Sequence, residues 1–466
     1  MSIKVYNTMT RSKEELVPLT PGHVRIYACG VTVYDLSHVG HARSAMVFDV
    51  VQRYFRFKGY RVTFVRNFTD VDDRIILRAN AEGVAAAELS ERYVQAFRED
   101  MAAIGVAPAD VEPKATEHIP EMVALIERLV AKGFAYTVDG DVYFEIRRFP
   151  PYGRLSGKNL DELLAGARVE VDERKRDPRD FALWKSAKPG EPAWPSPWGP
   201  GRPGWHIECS AMATKYLGES FDIHGGGEDL IFPHHECEIA QSEADTGRTF
   251  ARYWLHNGMV NLRAEKMSKS LGNVLTIREF VKRHAPDAFR LFVLGTHYRH
   301  PVDFAEDRVR DSARALERLT RLAHDAQALG SGTSGAVPAE LGGFRARFEA
   351  AMDDDFNTSQ ALGVLFELAR ALADDRDRAG ADDRARERFV AGVGELVTLA
   401  QVLGLLQGAR DGASMPAEVL RLVEERDQAR ARRDWTRADE LRKEIQRVGW
   451  NVEDTPSGPR VTRKSA

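Results

Sequence analysis

The amino-acid sequence predicts an α/β fold with a doubly wound parallel sheet. An apolar run over 24–28 leads to Cys29, as expected of a buried parallel strand that ends there. Between residues 41 and 55 the apolar residues recur at helical spacing, and Gly59 stands where a left-handed helix end is expected. A β-rich run over 62–65 follows directly. This order forms the βαβ unit of such a sheet, whose ligands bind at the carboxyl ends of the strands.

The sheet domain is predicted to be interrupted by an insertion over 121–204. This stretch contains a helical pattern over 122–130, a strand pair around 134–144 and a long loop rich in Pro, Gly and Trp. Long irregular segments inside an enzyme are usually functional. The sheet domain is expected to resume at 205–262, with the residues that lead to Cys209 forming the end of a strand.

The last third of the chain is predicted to be helical. Apolar residues between 362 and 369 recur at helical spacing. Two Gly-rich stretches, 330–335 and 408–416, are predicted to be a loop and a linker. From about residue 417 arginines alternate with acidic residues, and the chain closes on a strand-and-turn pattern over 450–455.

Composition excludes several classes of protein. The 466 residues include three cysteines, which cannot form an even set of disulfides, so a cytoplasmic location is expected. Neither a run of about 18 apolar residues nor an apolar signal segment occurs, so no membrane association is expected. Because the formal net charge is −4, any nucleic acid would have to bind local basic patches.

Two cysteines and a His-x-x-x-Glu pair are candidates for one metal site. His234 and Glu238 are four residues apart and share a face if they lie on one helix, with Pro233 suited to its first turn. Cys29 and Cys209 would join them if their strands end at the same edge of the sheet. The spacing alone is weak, because such a pair usually lies on a solvated helix face and cysteines are usually packed small residues.

Two short motifs indicate phosphate chemistry. Residues 38–41 read His-Val-Gly-His at the start of the predicted helix, where the helix dipole favours negative charge. Residues 266–270 read Lys-Met-Ser-Lys-Ser, and two lysines can stabilise the charge that builds on phosphate oxygens in a transition state. Each motif alone is weak, since a polar turn or a solvated basic loop is common. Their combination with a βα unit favours a nucleotide site.

Together with residues 27–43, which read Tyr-Ala-Cys-Gly-Val-Thr-Val-Tyr-Asp-Leu-Ser-His-Val-Gly-His-Ala-Arg, these motifs resemble cysteinyl-tRNA synthetase, a class I aminoacyl-tRNA synthetase family. The resemblance covers nearly the whole chain and implies a Rossmann-type catalytic domain. The predicted domains are the two halves of this catalytic domain over 1–120 and 205–262, the insertion over 121–204, the Lys-Met-Ser-Lys-Ser loop and stem-contact region over 263–315, the helical bundle over 316–410, and a small anticodon-binding domain over 411–466.

The resemblance also implies the roles of individual residues. One Zn²⁺ per chain would be held at the family's four ligand positions, which are Cys29, Cys209, His234 and Glu238 here. Cys237 would be a packed thiol outside this set. Catalysis would involve His38, His41, Lys266 and Lys269, which with Gly40 would also bind ATP, and Mg²⁺ would arrive on the nucleotide. The pocket for the amino acid would be formed by Gly30, Thr69, Trp205, His224 and Asp229.

The implied reaction is ATP-dependent activation of L-cysteine to cysteinyl-adenylate, followed by transfer to the 3′ adenosine of tRNA(Cys). Steric fit gives only roughly 10–200-fold discrimination between similar amino acids, so binding of the substrate thiol to zinc would supply the rest. Trp435, Arg437 and the turn around Asp454 are expected to contact the anticodon by stacking and base-edge hydrogen bonds. A monomer is expected.

Two alternatives stay open on the sequence. One is the cysteine ligase of mycothiol biosynthesis, which resembles this fold and chemistry but has an amino-sugar acceptor. The intact Lys-Met-Ser-Lys-Ser and the tail beyond Met415 favour the synthetase over this ligase. The other is a non-catalytic RNA-binding relative with structural zinc, which the two intact motifs argue against.

Overall fold

The computed structural model describes residues 2–158, 173–262, 265–266, 275–329, 341–407, 417–432, 434–455 and 458–463. Lys269, the predicted loop at 330–335 and the predicted linker at 408–416 lie outside these described residues.

Strands and helices alternate over the first two thirds of the chain. In order, their bounds are β1 (Lys4–Asn7), β2 (Ser12–Glu15), β3 (His23–Thr32), α1 (Val39–Phe57), β4 (Arg61–Thr69), α2 (Asp73–Glu82), α3 (Ala86–Ala103), α4 (Ile119–Ala131), β5 (Ala135–Val138), β6 (Asp141–Phe144), β7 (Phe181–Ser186), β8 (Gly201–Pro203), α5 (Trp205–Leu217), β9 (Phe221–Gly227), α6 (Glu236–Thr246), β10 (Ala251–Asn257), β11 (Val260–Leu262), β12 (Glu265–Lys266), α7 (Ile277–Val281), α8 (Pro286–Leu294) and β13 (Val302–Phe304).

Helices dominate the remainder. Their bounds, with those of a final hairpin, are α9 (Glu306–Ala328), α10 (Gly342–Asp353), α11 (Thr358–Ala371), α12 (Ala373–Arg378), α13 (Asp383–Val402), α14 (Ala417–Ala431), α15 (Trp435–Arg447), β14 (Trp450–Thr455) and β15 (Gly458–Arg463). The antiparallel pairing of β14 with β15 confirms the strand predicted over 450–455. Among the helices of the described residues, none has the length and apolar content needed to cross a membrane.

The central sheet has the strand order β10-β9-β3-β4, and all its neighbours are parallel. The predicted βαβ unit is β3, α1 and β4, and Gly59 has a φ of +84° beyond the end of α1. The doubly wound α/β prediction is therefore confirmed. In a parallel sheet the carboxyl ends of the strands lie at one edge, so the ends of β3, β9 and β10 are neighbours.

Helix α1 is buried on two sides, which fixes its position over the sheet. Val47 and Tyr54 belong to a hydrophobic core shared with the helical bundle. Val39 and Met46 belong to a second core formed with α2, α3, α7 and α8. The His-Val-Gly-His motif thus lies at the start of a helix that packs against both the helical bundle and the core formed with α2, α3, α7 and α8.

The predicted insertion contains α4 and a four-stranded antiparallel sheet of order β5-β6-β7-β8. The helix predicted over 122–130 and the strand pair predicted around 134–144 are confirmed. The exact bounds of the insertion stay a prediction.

Two local predictions are wrong. Cys209 does not end a strand but lies in helix α5, whose residues 207–213 are all buried, so that burial on most sides hides the helical periodicity. Strand β3 does not end at Cys29 but continues to Thr32, because its pairing with β4 resumes at Val31 after a register shift. The backbone is non-helical at Phe232 and helical at His235 and Glu236, so Pro233 lies at the start of the helical segment that leads into α6, as predicted.

Candidate metal centre and nucleotide site

Four side chains from distant parts of the chain meet at the carboxyl edge of the sheet. Cys29 Sγ lies 3.8 Å from Cys209 Sγ and 3.5 Å from Glu238 Oε1. His234 Nε2 lies 3.1 Å from the same Oε1. The possible ligand atoms of the four residues all lie within 4.8 Å of one another. The structure thus brings together the four predicted ligands, and two thiols, an imidazole and a carboxylate can hold a metal ion.

The backbone beside Cys29 departs from regular strand pairing. The register between β3 and β4 shifts between Ala28 and Val31, and the Gly30 N–H donates to Asn67 Oδ1 at 2.9 Å. A Cβ on residue 30 would lie 1.6 Å from the Asn67 carbonyl oxygen, so this approach of two strands requires glycine. Such bulges redirect side chains near functional sites.

Two histidines orient ligands of the cluster from outside it. His224 Nε2 lies 2.8 Å from Glu238 Oε2, which leaves Oε1 facing the cluster. His206 Nδ1 lies 2.8 Å from His234 Nδ1, which leaves His234 Nε2 facing the cluster. Partners of this kind fix the orientation of metal ligands and the tautomer of a ligating imidazole.

A third histidine contacts a thiol of the cluster. His235 Nε2 lies 3.3 Å from Cys29 Sγ, and its Nδ1 lies 2.8 Å from His256 Nε2. His256 Nδ1 in turn lies 2.8 Å from Thr8 Oγ1. If the Thr8 hydroxyl donates to His256 Nδ1, the His256 Nε2–H donates to His235 Nδ1. The His235 Nε2–H then donates to the Cys29 sulfur.

A second group of four residues also satisfies the spacing of a metal site. It consists of Cys29, His224, His235 and Glu238. This group offers one thiol, and its His224 Nε2 already contacts the far oxygen of Glu238. The predicted group offers two thiols, which is the softer set of ligands.

Burial controls protonation in the cluster. Burial, the hydrogen bond to Cys209 and the nearby Glu238 raise the pKa of Cys29 well above its ordinary value, and burial also raises the pKa of Cys209. Burial lowers the pKa of His234 well below its ordinary value. Both thiols therefore stay protonated unless a cation is present, because metal coordination deprotonates a thiol.

The two histidines of His-Val-Gly-His cap helix α1 reciprocally. The Gly40 N–H donates to His38 Nδ1 at 3.1 Å, and the His38 N–H donates to His41 Nδ1 at 3.3 Å. The rings stack with centroids 3.7 Å apart. Because both Nδ1 atoms accept, each neutral ring carries its proton on Nε2. A Cβ on residue 40 would lie 2.9 Å from the His38 ring, so the cap itself requires glycine there.

The Lys-Met-Ser-Lys-Ser motif is described only at its first residue. Lys266 ends β12, whose backbone pairs with β11 in an antiparallel hairpin. Lys269 lies outside the described residues. The contacts of both lysine side chains with a nucleotide therefore stay predictions.

The predicted pocket residues differ in burial and in their contacts. The half-buried Trp205 ring has its centroid 4.2 Å from that of His234, and its role as a pocket wall stays a prediction. Thr69 Oγ1 donates to Glu208 Oε2 at 2.8 Å. Asp229 is exposed in a short turn that follows β9.

Sequence reasoning missed four residues of the site, namely His206, Glu208, His235 and His256. Glu208 is buried, and burial raises its pKa well above the ordinary value. His235 adjoins a predicted ligand and His256 lies at the carboxyl end of β10. Convergence of strand ends could have suggested His256, whereas the others had no signal beyond adjacency to predicted residues.

The predicted RNA contacts lie in a separate C-terminal cluster that contains α14, α15 and β14. Trp435 is 58% exposed, and the Arg430 guanidinium lies 5.5 Å from its ring centroid. Arg437 is exposed and pairs with Glu440 at 3.0 Å. For Asp454 the structure describes the backbone alone, as part of β14.

Three family models match the chain. They are described as tRNA synthetases class I (C) catalytic domain, over 15–314, DALR domain, over 347–407, and Cysteinyl-tRNA ligase anticodon binding domain, over 413–460. The last match disfavours the mycothiol ligase, because that alternative provides no reason for an anticodon-binding domain.

Curated proteins and solved structures agree with these matches. The chain is 52% identical to a cysteine–tRNA ligase of Geobacter sulfurreducens, over 98% of this chain and 99% of that protein. It is 54% identical to one of Alkalilimnicola ehrlichii, over 98% of each. Mycobacterium tuberculosis methionyl-tRNA synthetase in complex with methionyl-adenylate shares the fold, with a TM-score of 0.62 at 16% identity over 84% of this chain and 92% of that one. This chain belongs to the cysteinyl-tRNA ligases, a family of class I aminoacyl-tRNA synthetases.

Proposed function

We propose that this chain activates L-cysteine with ATP to cysteinyl-adenylate and transfers cysteine to the 3′ adenosine of tRNA(Cys). One observation carries the proposal. A cluster of two thiols, an imidazole and a carboxylate lies at the carboxyl edge of the sheet. From this edge the chain continues from β3 to the start of α1, which His38 caps. This edge is where parallel α/β sheets bind nucleotides and their co-substrates.

The residues of the cluster fit one zinc ion per chain, held by Cys29, Cys209, His234 and Glu238. Their ligand atoms already face one another, and three of the four have a histidine behind them that would hold their orientation. When bound, zinc would supply a soft cation that distinguishes a substrate thiol from a hydroxyl.

The protein side chains around the cluster would position the amino acid. Trp205 packs against the His234 ring and would exclude water from one side of the substrate. Gly30 and Thr69 lie at the carboxyl ends of β3 and β4, and the His224 ring lies behind Glu238. The exposed carboxylate of Asp229 would pair with the substrate ammonium group, as the resemblance implies.

The capped start of α1 would bind the phosphates of ATP. His38 and His41 present their Nε2–H groups from adjacent stacked rings, and both are hydrogen-bond donors to an anion at the positive end of a helix dipole. Lys266 and Lys269 would stabilise the charge that develops when the carboxylate attacks the α-phosphorus and pyrophosphate leaves. Mg²⁺ would arrive with the nucleotide.

The C-terminal cluster would bind the anticodon of the tRNA. Trp435 exposes a flat ring beside the Arg430 guanidinium, and stacking on such groups is how proteins bind unpaired bases. The three free cysteines suit a reducing cytoplasm. We expect a monomer, which the elution volume on size exclusion would test.

The decisive test is transfer of labelled cysteine to purified tRNA(Cys), with cysteine-dependent pyrophosphate exchange measured alongside. Charging of tRNA with cysteine and not serine is expected. Exchange without charging would reject the tRNA acceptor and point to a small amine. Absence of exchange in zinc-loaded protein would reject the catalytic proposal and leave a non-catalytic relative.

The role of Lys269 has its own test. Lys269→Ala should lower the rate constant for pyrophosphate exchange by about 100-fold or more with little change in the KM for cysteine. Lys282, an exposed lysine just after α7, offers a matched control in Lys282→Ala. Equal effects of the two substitutions would contradict the assignment.

A further inference from the structure

Arg43 is a buried cation whose hydrogen bonds to the described residues all go to backbone carbonyl groups. It lies in the second turn of α1 and is 1% exposed. Its Nη1 donates to the carbonyl oxygens of Gly258 at 2.8 Å and Met259 at 2.7 Å, and its Nη2 donates to those of Tyr298 at 3.2 Å and His300. No salt bridge to Arg43 occurs within the described ranges. Burying a charge in this way is costly, so a role is expected.

These four carbonyl groups belong to two crossing segments that lead into neighbouring strands. Gly258 and Met259 join β10 to β11, whereas Tyr298 and His300 precede β13. The Gly258 N–H donates to the Tyr298 carbonyl oxygen at 2.9 Å. A Cβ on Gly258 would lie 2.6 Å from the His300 carbonyl carbon, so the crossing is as close as backbone permits. Arg43 thus ties α1 to the start of the β11–β12 hairpin, which ends at Lys266.

The chain on the far side of the Lys-Met-Ser-Lys-Ser motif is also tied to α1. The Val39 N–H donates to the Leu275 carbonyl oxygen at 3.1 Å, and the Ile277 N–H donates to the Ser37 carbonyl oxygen at 3.0 Å. The two segments that flank the motif are therefore both attached to the first turns of the helix that carries His38. Arg43 forms the attachment on the hairpin side.

The segment over 298–300, which Arg43 binds, is also held by the helical bundle. Asp355, between α10 and α11, accepts hydrogen bonds from Tyr298 Oη at 2.8 Å and Arg299 Nε at 2.7 Å. Both Arg43 and Asp355 therefore hold this segment in place. Movement of the hairpin relative to α1 requires the Arg43 hydrogen bonds to break.

We propose that Arg43 is a positioning residue, which aligns the hairpin bearing Lys266 with the histidines at the start of α1. This inference rests on the proposed function, since both groups must contact the phosphates of one ATP. In-line displacement is sensitive to such alignment, because a misplacement of about 1 Å can cost about 100-fold in rate. Arg43 contacts no substrate in this role and acts through the backbone it holds.

The test compares Arg43→Lys with a matched control, Arg290→Lys. Arg290 is also fully buried and contacts α1 through Asp49 at 2.7 Å. Its other partners are the carbonyl oxygens of Ile104, Gly105 and Leu403, which lie away from the hairpin. Arg43→Lys should lower kcat of cysteine-dependent pyrophosphate exchange about 100-fold, with KM for cysteine and bound zinc unchanged. It should also speed amide hydrogen exchange over 259–262. Arg290→Lys should lower stability while kcat stays within about threefold.

A second variant keeps the inference testable if Arg43→Lys fails to fold. Gly258→Ala would separate the crossing segments with Arg43 intact, and it should reproduce the kcat loss and the faster exchange over 259–262. Equal kcat losses in the Arg43 and Arg290 variants, or unchanged amide exchange, would overturn the inference. If the wild-type protein lacks activity, the proposed function fails, whereas the amide-exchange comparison still decides whether Arg43 holds the hairpin.

Discussion

The most direct test of the metal centre uses two of the three cysteines. Cys209 faces Cys29 in the cluster at 3.8 Å, whereas Cys237 lies in the adjacent helix and contacts Tyr152 Oη at 3.3 Å. Both are 1% exposed. Cys209→Ser and Cys237→Ser therefore make the same atomic change at equally buried sites, of which one belongs to the predicted ligand set.

The expected magnitude follows from the number of ligands. A zinc site of this type contributes about 10–16 kcal/mol of apparent binding free energy. An even share among four ligands assigns about 2.5–4 kcal/mol to Cys209. Since about 1.4 kcal/mol corresponds to a factor of ten, Cys209→Ser should weaken zinc binding by about 100- to 1,000-fold. Cys237→Ser changes one hydrogen bond to Tyr152 and should cost about 1 kcal/mol of folding stability.

The assay is competition for zinc against a chelator of known affinity, with metal content measured after dialysis. One zinc per chain is expected for the wild-type protein and for Cys237→Ser. Cys209→Ser should lose its zinc at chelator concentrations that leave the other two loaded. Equal retention in both variants would refute the ligand assignment, and selective loss in Cys237→Ser would move the site to the other thiol.

Three further predictions concern stability. Gly30→Ala places a Cβ 1.6 Å from the Asn67 carbonyl oxygen and should cost about 3 kcal/mol or more in urea unfolding; a cost below about 1 kcal/mol would contradict the bulge geometry. Asp49→Asn leaves the fully buried Arg290 without its carboxylate partner and should cost about 3–5 kcal/mol, whereas an exposed pair broken in parallel should cost less than about 1 kcal/mol. Burial raises the pKa of both cluster thiols. Their contribution to the stability of the metal-free protein is therefore present below the unfolded-state pKa of roughly 8.5. It is lost as pH rises above that value, by up to about 1.4 kcal/mol per pH unit for each thiol. Thermal unfolding of zinc-free protein should show this loss, and a metal-free stability that rises above that pH would refute the sign.

Local sequence patterns predict most of the secondary structure and the type of chemistry. The strand before Cys29, helix α1 and its glycine end, and the hairpin around 134–144 all follow from apolar periodicity and turn residues. These signals are local because side-chain alternation and helix ends depend on near neighbours in the chain. The four ligand positions came from the resemblance to a family, since their spacing alone was a weak signal.

Long-range contacts follow from the packing of the whole chain. Burial on most sides hides the helical periodicity of α5, whose residues before Cys209 the sequence predicts as the end of a strand, and burial depends on what packs around a segment. The contacts of His235 with Cys29, and of Arg43 with the backbone before β11 and β13, join residues more than 200 positions apart. Their distances are set by strand order, register and helix packing, which form only when the whole sheet assembles. Local patterns therefore predict most of the strands and helices, and long-range packing determines which residues they contact.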